Sequence, residues 1–265
     1  MLHLSNKPNQ PKINTDNELL YVSRTHLAQI EFTTACNFRC VYCAVAQPTW
    51  VSKDMDLDAL SDVISQLKSR NIQVVNISGH GETTIIPNWH EYAIRLLDDD
   101  VNLIICSNFG KQFSKVEADV LSRFHGITVS CDTADPVLFK KLRKGGDLRT
   151  LVYNMLMVKN KAESRGLIPR WTWSCVLTDV TIWGFMDFVK LGYSLGVGAF
   201  CICNLATTPP IPGVMQVKHL STLPKNKAID AYDIIMRAKE YCDSKNVVLD
   251  IKAGLTDTLR RTIDG

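Results

Sequence analysis

Apolar runs and helical patterns take turns along this chain, and that alternation limits the folds open to it more than any other feature. Residues 27–33 read as a strand. Leu57, Leu60, Ile64 and Leu67 fall on one helical face, with Asp56 placed to cap it. Residues 72–78 are a short β-branched run, hence a strand. A helix over 89–97, a strand over 101–106, a helix over 114–123 and a strand over 126–131 follow. A helix over 136–143 starts on Pro136, which suits a first turn, and a longer one covers 148–163. Residues 171–177 read as a strand, 182–191 as a helix and 197–205 as the sixth strand. Residues 206–224, rich in proline and threonine, read as a loop or lid, followed by a helix over 226–243 and a short strand over 247–251. A β–α order repeated about six times implies a parallel sheet with helical crossovers, either doubly wound or curved toward a barrel. The expected division is a polar N-terminal segment over 1–24, a core over 25–205, and a C-terminal part over 206–265.

With 265 residues, 46% of them hydrophobic, the chain can bury one large core. Charged residues make up 22% and the formal net charge is +3, a balance that argues for neither nucleic acid nor membrane as a partner. No apolar run approaches the roughly 18 residues of a membrane span. The first residues are polar and lack the apolar centre of a secretory signal, so the expected location is cytoplasmic.

In that setting nine cysteines point to metal ligation or catalysis rather than disulfides. Cys106, Cys131, Cys175, Cys201, Cys203 and Cys242 are scattered, mostly in strand-like runs, and read as small buried hydrophobes. Cys36, Cys40 and Cys43 stand within eight residues just after the first strand. Three thiolates can hold three irons of a cubane cluster and leave the fourth iron open. The alternative is a structural zinc with a fourth ligand from elsewhere, such as His80.

Cys36-Asn-Phe-Arg-Cys40-Val-Tyr42-Cys43 resembles the signature of the radical S-adenosylmethionine enzymes. The resemblance extends over about residues 27–205 through segments that follow the predicted strands. Ser78-Gly79-His80-Gly81-Glu82 is similar to the family's Gly-Gly-Glu-Pro, with His80 in place of a glycine and Thr83 in place of the proline. Cys106-Ser107-Asn108 is similar to its Thr-Thr-Asn, Val129-Ser130-Cys131-Asp132 to its Val-Ser-Leu-Asp, and Leu142-Arg143-Lys144-Gly145 to its Ile-Arg-Gly. All fall at the carboxyl ends of strands, where α/β folds place their sites.

The resemblance implies a partial (β/α)6 barrel open on one side. It also implies a [4Fe–4S] cluster on Cys36, Cys40 and Cys43, with S-adenosylmethionine chelating the open iron. Reductive cleavage of that molecule yields a radical that takes a hydrogen atom from a substrate. Tyr42, Gly79, Gly81, Glu82, Ser107, Asn108, Ser130, Asp132 and Arg143 become the cofactor-binding candidates. Arg143 either meets a carboxylate or joins Lys140, Lys141 and Lys144 on a solvated helix, and for the basic run as a whole solvation is expected. The same resemblance implies an external one-electron donor such as flavodoxin or ferredoxin, and a peptide, sugar or small metabolite as substrate.

On the fifth strand Trp171, Trp173 and Cys175 share a face, with the tryptophans expected under helices. Cys201 and Cys203 point the same way on the sixth. Packing is the expected role of these thiols, with Cys175, Cys201 and Cys203 as candidate hydrogen donors should the reaction be an epimerisation. Only Cys242 lies beyond the sixth strand, so no auxiliary cluster of the kind carried on a C-terminal extension is expected. The competing class is a non-catalytic zinc- or cluster-binding module or sensor.

Overall fold

The structure is a computed structural model that describes residues 27–206, 209–211, 213–252 and 254–264. The polar segment expected over 1–24 lies outside the described residues, as does part of the loop expected over 206–224. Strand β1 (Leu27–Gln29) leads through the cysteine loop and helix α1 (Leu60–Ser69) to β2 (Val74–Asn76). Helix α2 (Trp89–Leu97) precedes β3 (Asn102–Ser107), α3 (Lys115–Leu121) precedes β4 (Gly126–Ser130), and α4 (Pro136–Leu142) with α5 (Leu148–Glu163) precedes β5 (Trp171–Val176). Helix α6 (Phe185–Ser194) leads to β6 (Ala199–Cys203), α7 (Lys225–Ser244) leads to β7 (Val248–Ile251), and α8 (Leu255–Asp264) follows.

The seven strands form one sheet in sequence order, every pair parallel. A doubly wound sheet reverses its strand order partway, and this one does not. Right-handed crossovers wound in one direction put the helices on one face, which leaves the other face as an open bowl. The first and last strands of the order do not pair, so the barrel is partial. It runs one strand further than the six expected, because Val248–Ile251 registers against Ala199–Ile202. Helix α8 was not expected at all.

Local chemistry explains the element ends. Ser114 caps α3 in a capping box with Glu117, and Asp135 caps α4 ahead of Pro136. Asp147 caps α5 through the backbone N–H of Arg149 at 2.7 Å. Alternation decides the faces. On β5, Trp171, Trp173 and Cys175 are buried against the helices, while Thr172, Ser174 and Val176 line the bowl. Trp173 packs with Phe188 (ring centroids 5.2 Å apart) and Phe200 (6.3 Å). Helix α6 closes on them at Gly192, where a β-carbon would lie 2.6 Å from the Phe200 ring.

Candidate active site

Beyond β1 the backbone peels away from the sheet. Ile30 still donates to the Asn76 carbonyl at 2.8 Å, but Met55 donates to Phe32 and Thr34 to Lys53, each at 2.8 Å. This second pairing shortens the strand expected over 27–33 and clamps the base of the loop that carries the cysteines. The Trp50 indole N–H closes the loop on the Thr34 carbonyl at 3.1 Å. Within it Arg39–Cys40 pairs antiparallel with Arg143–Lys144, and the Val41 N–H donates to the Leu142 carbonyl at 2.9 Å.

Cys36, Cys40 and Cys43 are all free and half-buried on this loop. Cys36 Sγ accepts from the Phe38 N–H at 3.4 Å and from Asn108 Nδ2 at 3.6 Å. Burial pushes the Cys36 thiol up, with the Phe38 N–H pulling the other way. Burial raises the Cys40 thiol to about 12, against the pull of Arg143. Three thiols on one loop, one of them with two N–H groups aimed at its sulfur, suit an iron–sulfur cluster, whose sulfurs are tuned by such hydrogen bonds. His80 turns its ring against Trp50 (5.5 Å between centroids) and its Nδ1 toward Glu31 at 3.6 Å.

Two buried carboxylates tie the loop to the strand ends. Glu82, 2% exposed, accepts from the Ser107 hydroxyl (2.8 Å), the Asn108 N–H (2.7 Å), and the Thr84 hydroxyl and N–H (2.8 and 3.2 Å). Burial pushes its carboxyl pKa up, and these donors oppose that shift. Asn108, so fixed, reaches Cys36 and donates to Asn37 Oδ1 at 2.8 Å. Thr83, where the family has proline, donates its hydroxyl to the Ile77 carbonyl.

Asp132 is the second carboxylate. Arg143 grips it with Nε and Nη2 at 2.8 and 2.9 Å, the Tyr42 hydroxyl donates to it, and the Val176 N–H adds a fourth bond at 2.9 Å. Of the two surroundings open to Arg143, the structure shows the carboxylate; Lys140, Lys141 and Lys144 are exposed while Arg143 is buried. The oxygens of Asp132 are spent on the protein. Its carboxylate therefore holds Tyr42, between Cys40 and Cys43, instead of presenting itself to the bowl.

The remaining candidates sit apart from these networks. Ser130 faces the bowl beside Cys106 (Oγ–Sγ 3.5 Å). Gly79 and Gly81 let the chain pass close to itself. A β-carbon at Gly79 would strike the Glu31 side chain, and one at Gly81 would strike the Thr33 carbonyl and lie 2.5 Å from that of Ala35. The Glu82 N–H already bonds Ala35 O at 2.7 Å. Backbone cannot yield as a flexible side chain can, so Gly81→Ala is expected to lose about 1–3 kcal/mol of stability, read as a lower denaturation midpoint.

The six scattered cysteines divide in two. Cys131, Cys175 and Cys242 are fully buried, as expected for packing. Cys175 lies on the helix-facing side with the tryptophans, turned from the bowl. Cys106, Cys201 and Cys203 instead face the bowl, half-buried, with Cys201 and Cys203 Sγ 4.0 Å apart and Cys203 Sγ 3.9 Å from Ser174 Oγ. Glu31 was missed by the sequence reading. Its carboxylate accepts from the His80 and Gly81 N–H groups, and a charged residue alternating with Gln29 and Thr33 inside a strand pattern was the available signal.

Among known proteins, the chain is 24% identical over 232 residues to the probable GTP 3′,8-cyclase of Methanococcus maripaludis, covering 84% of this chain and 72% of that one. It is 26% identical over 126 residues to the GTP 3′,8-cyclase of Rhizobium leguminosarum, covering 45% of this chain but only 36% of that enzyme. Among solved structures, Streptococcus suis SuiB bound to S-adenosylmethionine superposes with a TM-score of 0.64 at 16% identity, over 86% of this chain and 50% of SuiB. The AdoMet-bound anSMEcpe superposes at 0.65 with 15% identity, over 84% of this chain and 61% of that one. At these identities the superpositions show the fold, and the chain spans about half the length of SuiB. The family model named Radical SAM superfamily matches residues 30–177, more than half of the chain. Because that match takes in the cysteine loop and the strands β2 to β5 with their carboxyl ends, the chain belongs to the radical SAM superfamily.

Proposed function

We propose that Cys36, Cys40 and Cys43 hold the cluster and that the enzyme abstracts a hydrogen atom from a neutral substrate, a peptide or a sugar or another small metabolite, seated in the bowl. When bound, the cluster and S-adenosylmethionine supply one-electron cleavage of a carbon–sulfur bond and a carbon radical. The chain's own residues position them. Backbone groups around Gly79 and Gly81 and the Glu82 carboxylate are the proposed contacts for the methionine amino group, and Ser107, Asn108 and Ser130 those for its carboxylate and ribose. Tyr42, Asp132 and Arg143 act on the cofactor by fixing the loop. Residues 25–205 form the proposed catalytic unit, and 206–265 a proposed loop or lid with a C-terminal helix and short strand. A cytoplasmic setting and a flavodoxin- or ferredoxin-type donor complete the proposal.

The observation that carries this reading is the Glu82–Asn108–Cys36 chain of bonds, which joins two strand ends to a loop thiol. Relatives named GTP 3′,8-cyclase raise a nucleotide as substrate. A triphosphate needs unpaired cations, and among the described residues the inward strand positions include Cys106, Ser130, Thr172, Ser174, Val176, Cys201 and Cys203, with Lys252 already paired to Asp250 at 3.0 Å. This favours a neutral substrate. With anaerobically reconstituted protein, dithionite and S-adenosylmethionine, the expected products are 5′-deoxyadenosine and methionine. S-adenosylhomocysteine instead, or no cleavage by fully loaded protein, overturns hydrogen abstraction.

The Cys201–Cys203 pair supports a return of hydrogen to the substrate, as an epimerisation requires. The Cys201 S–H bond breaks, a substrate C–H bond forms, and the external donor supplies an electron, with a proton from water, to restore the thiol. The hydrogen bond between them raises the Cys201 pKa and, with Ser174 and Lys252, lowers Cys203 to about 6. Cys203 is therefore the more readily ionised of the pair, which leaves Cys201 as the candidate to carry the hydrogen. Alkylation of Cys203 by iodoacetamide is expected to rise with pH through about 6. In Cys201→Ala the rise moves up toward the ordinary thiol range, since the stabilising donor is gone. An unmoved profile sinks the pairing.

A further inference from the structure

We infer that Arg39, Lys140, Lys141 and Lys144 form the face on which the external electron donor docks, and that this donor is a small acidic protein. The inference rests on the radical SAM reading and adds to it a surface and a partner chemistry. The antiparallel ladder sets Arg39 directly opposite Lys144, one residue from Cys40 on one strand and from Arg143 on the other. Lys140 and Lys141 stand exposed in the last turn of α4, just before the ladder.

Among the described residues none of these four cations has a carboxylate partner, and what sets them apart from other unpaired surface cations such as Lys190, Lys225 and Lys239 is that they cluster around the ladder beside Cys40. Arg39 bonds only backbone, donating to the Cys36 and Phe38 carbonyls. Like charges placed opposite one another across a ladder destabilise it. The dipole of α4 accounts for Lys140 and Lys141 taken alone. It offers nothing for Arg39 facing Lys144.

Location supplies the remaining argument. Electron transfer weakens steeply with distance, so a donor must sit against the loop that holds Cys40. The bowl is needed for the reacting molecules, which leaves the outer side of the loop, where Arg39 and Lys144 are exposed. Clustered cations there steer an acidic carrier and fix its orientation. A polyanion such as RNA fits less well, because the chain's net charge is only +3 and tight binding to a nucleic acid backbone takes many phosphate contacts.

The test uses reconstituted enzyme and a purified acidic flavodoxin. A Lys140→Glu, Lys141→Glu, Lys144→Glu variant is compared with one reversed at exposed Lys190, Lys225 and Lys239. Both should keep wild-type cluster absorbance and form 5′-deoxyadenosine with dithionite; loss of either in the wild type would mark failure of the radical SAM reading before any donor is added. Only the first variant should bind flavodoxin about tenfold or more weakly and lose the salt dependence of that binding. Lys144→Gln alone should fall between. Equal flavodoxin affinity in the two triple variants overturns the inference. So does a first variant that loses affinity for a single-stranded RNA oligonucleotide while flavodoxin binding holds.

Discussion

Cys40→Ala is expected to abolish the visible absorbance of the reconstituted protein and to cut 5′-deoxyadenosine formation below about one-hundredth of wild type. The bound is physical. Outer partners of metal ligands, which touch no metal, already cost about 10–100-fold when removed, and a thiolate that holds an iron must cost more. Cys40 has no understudy. Cys36 and Cys43 are the other two members of the triad, and the Arg39–Cys40 ladder with Arg143–Lys144 pins this stretch of the loop in place. Asn108→Ala removes the donor 3.6 Å from Cys36 Sγ and is expected to lie between, retaining cluster but holding it about 10–100-fold less well. Cys175→Ala is the control. Its sulfur is fully buried on the helix side, bonded to the Asp132 carbonyl at 3.7 Å, and the absorbance should survive. An unchanged spectrum for Cys40→Ala, measured after anaerobic reconstitution beside iron and sulfide analysis, would remove Cys40 from the ligand set.

Much of this site was legible because its signals are local. Apolar periodicity located α2 and α5 to the residue, and the motif segments follow strands whose ends converge. The residues that hold the site together were harder to read, since their pairing is tertiary. Tyr42 and Asp132 are 90 positions apart, and nothing in either neighbourhood names the other. The sorting of the scattered cysteines was within reach. Period two puts Cys175 with Trp173, and places Cys201 and Cys203 opposite Phe200 and Ile202. Composition alone made all six look alike. Helix α8 also left a trace, as Leu255, Leu259 and Ile263 recur every fourth residue. The shortened β1 could not be read, because the segment that competes for residues 32–34 arrives from 53–55.

The Asp132 network carries the largest expected stability effect. Asp132 and Arg143 have side chains 0% and 8% exposed, so both charges left water on folding. Replacing the pair with apolar side chains can be close to neutral, whereas removing one member strands the other. Asp132→Ala leaves the Arg143 guanidinium buried without a counter-charge and takes the acceptor from Tyr42 and the Val176 N–H. The expected loss is about 3–5 kcal/mol, read as a large fall in the urea midpoint of the reconstituted enzyme. Asp132→Asn keeps the volume and one acceptor oxygen and should lose less. Combining Asp132→Leu with Arg143→Met should recover much of the stability, because neither charge is then stranded. It should not recover the anchoring of Tyr42, so cluster loss to a chelator should stay fast in the double variant while its midpoint rises. That split separates a carboxylate that merely neutralises an arginine from one that also holds the cysteine loop. A wild-type midpoint in Asp132→Ala would mean that the pair is solvated, and the loop would need another anchor.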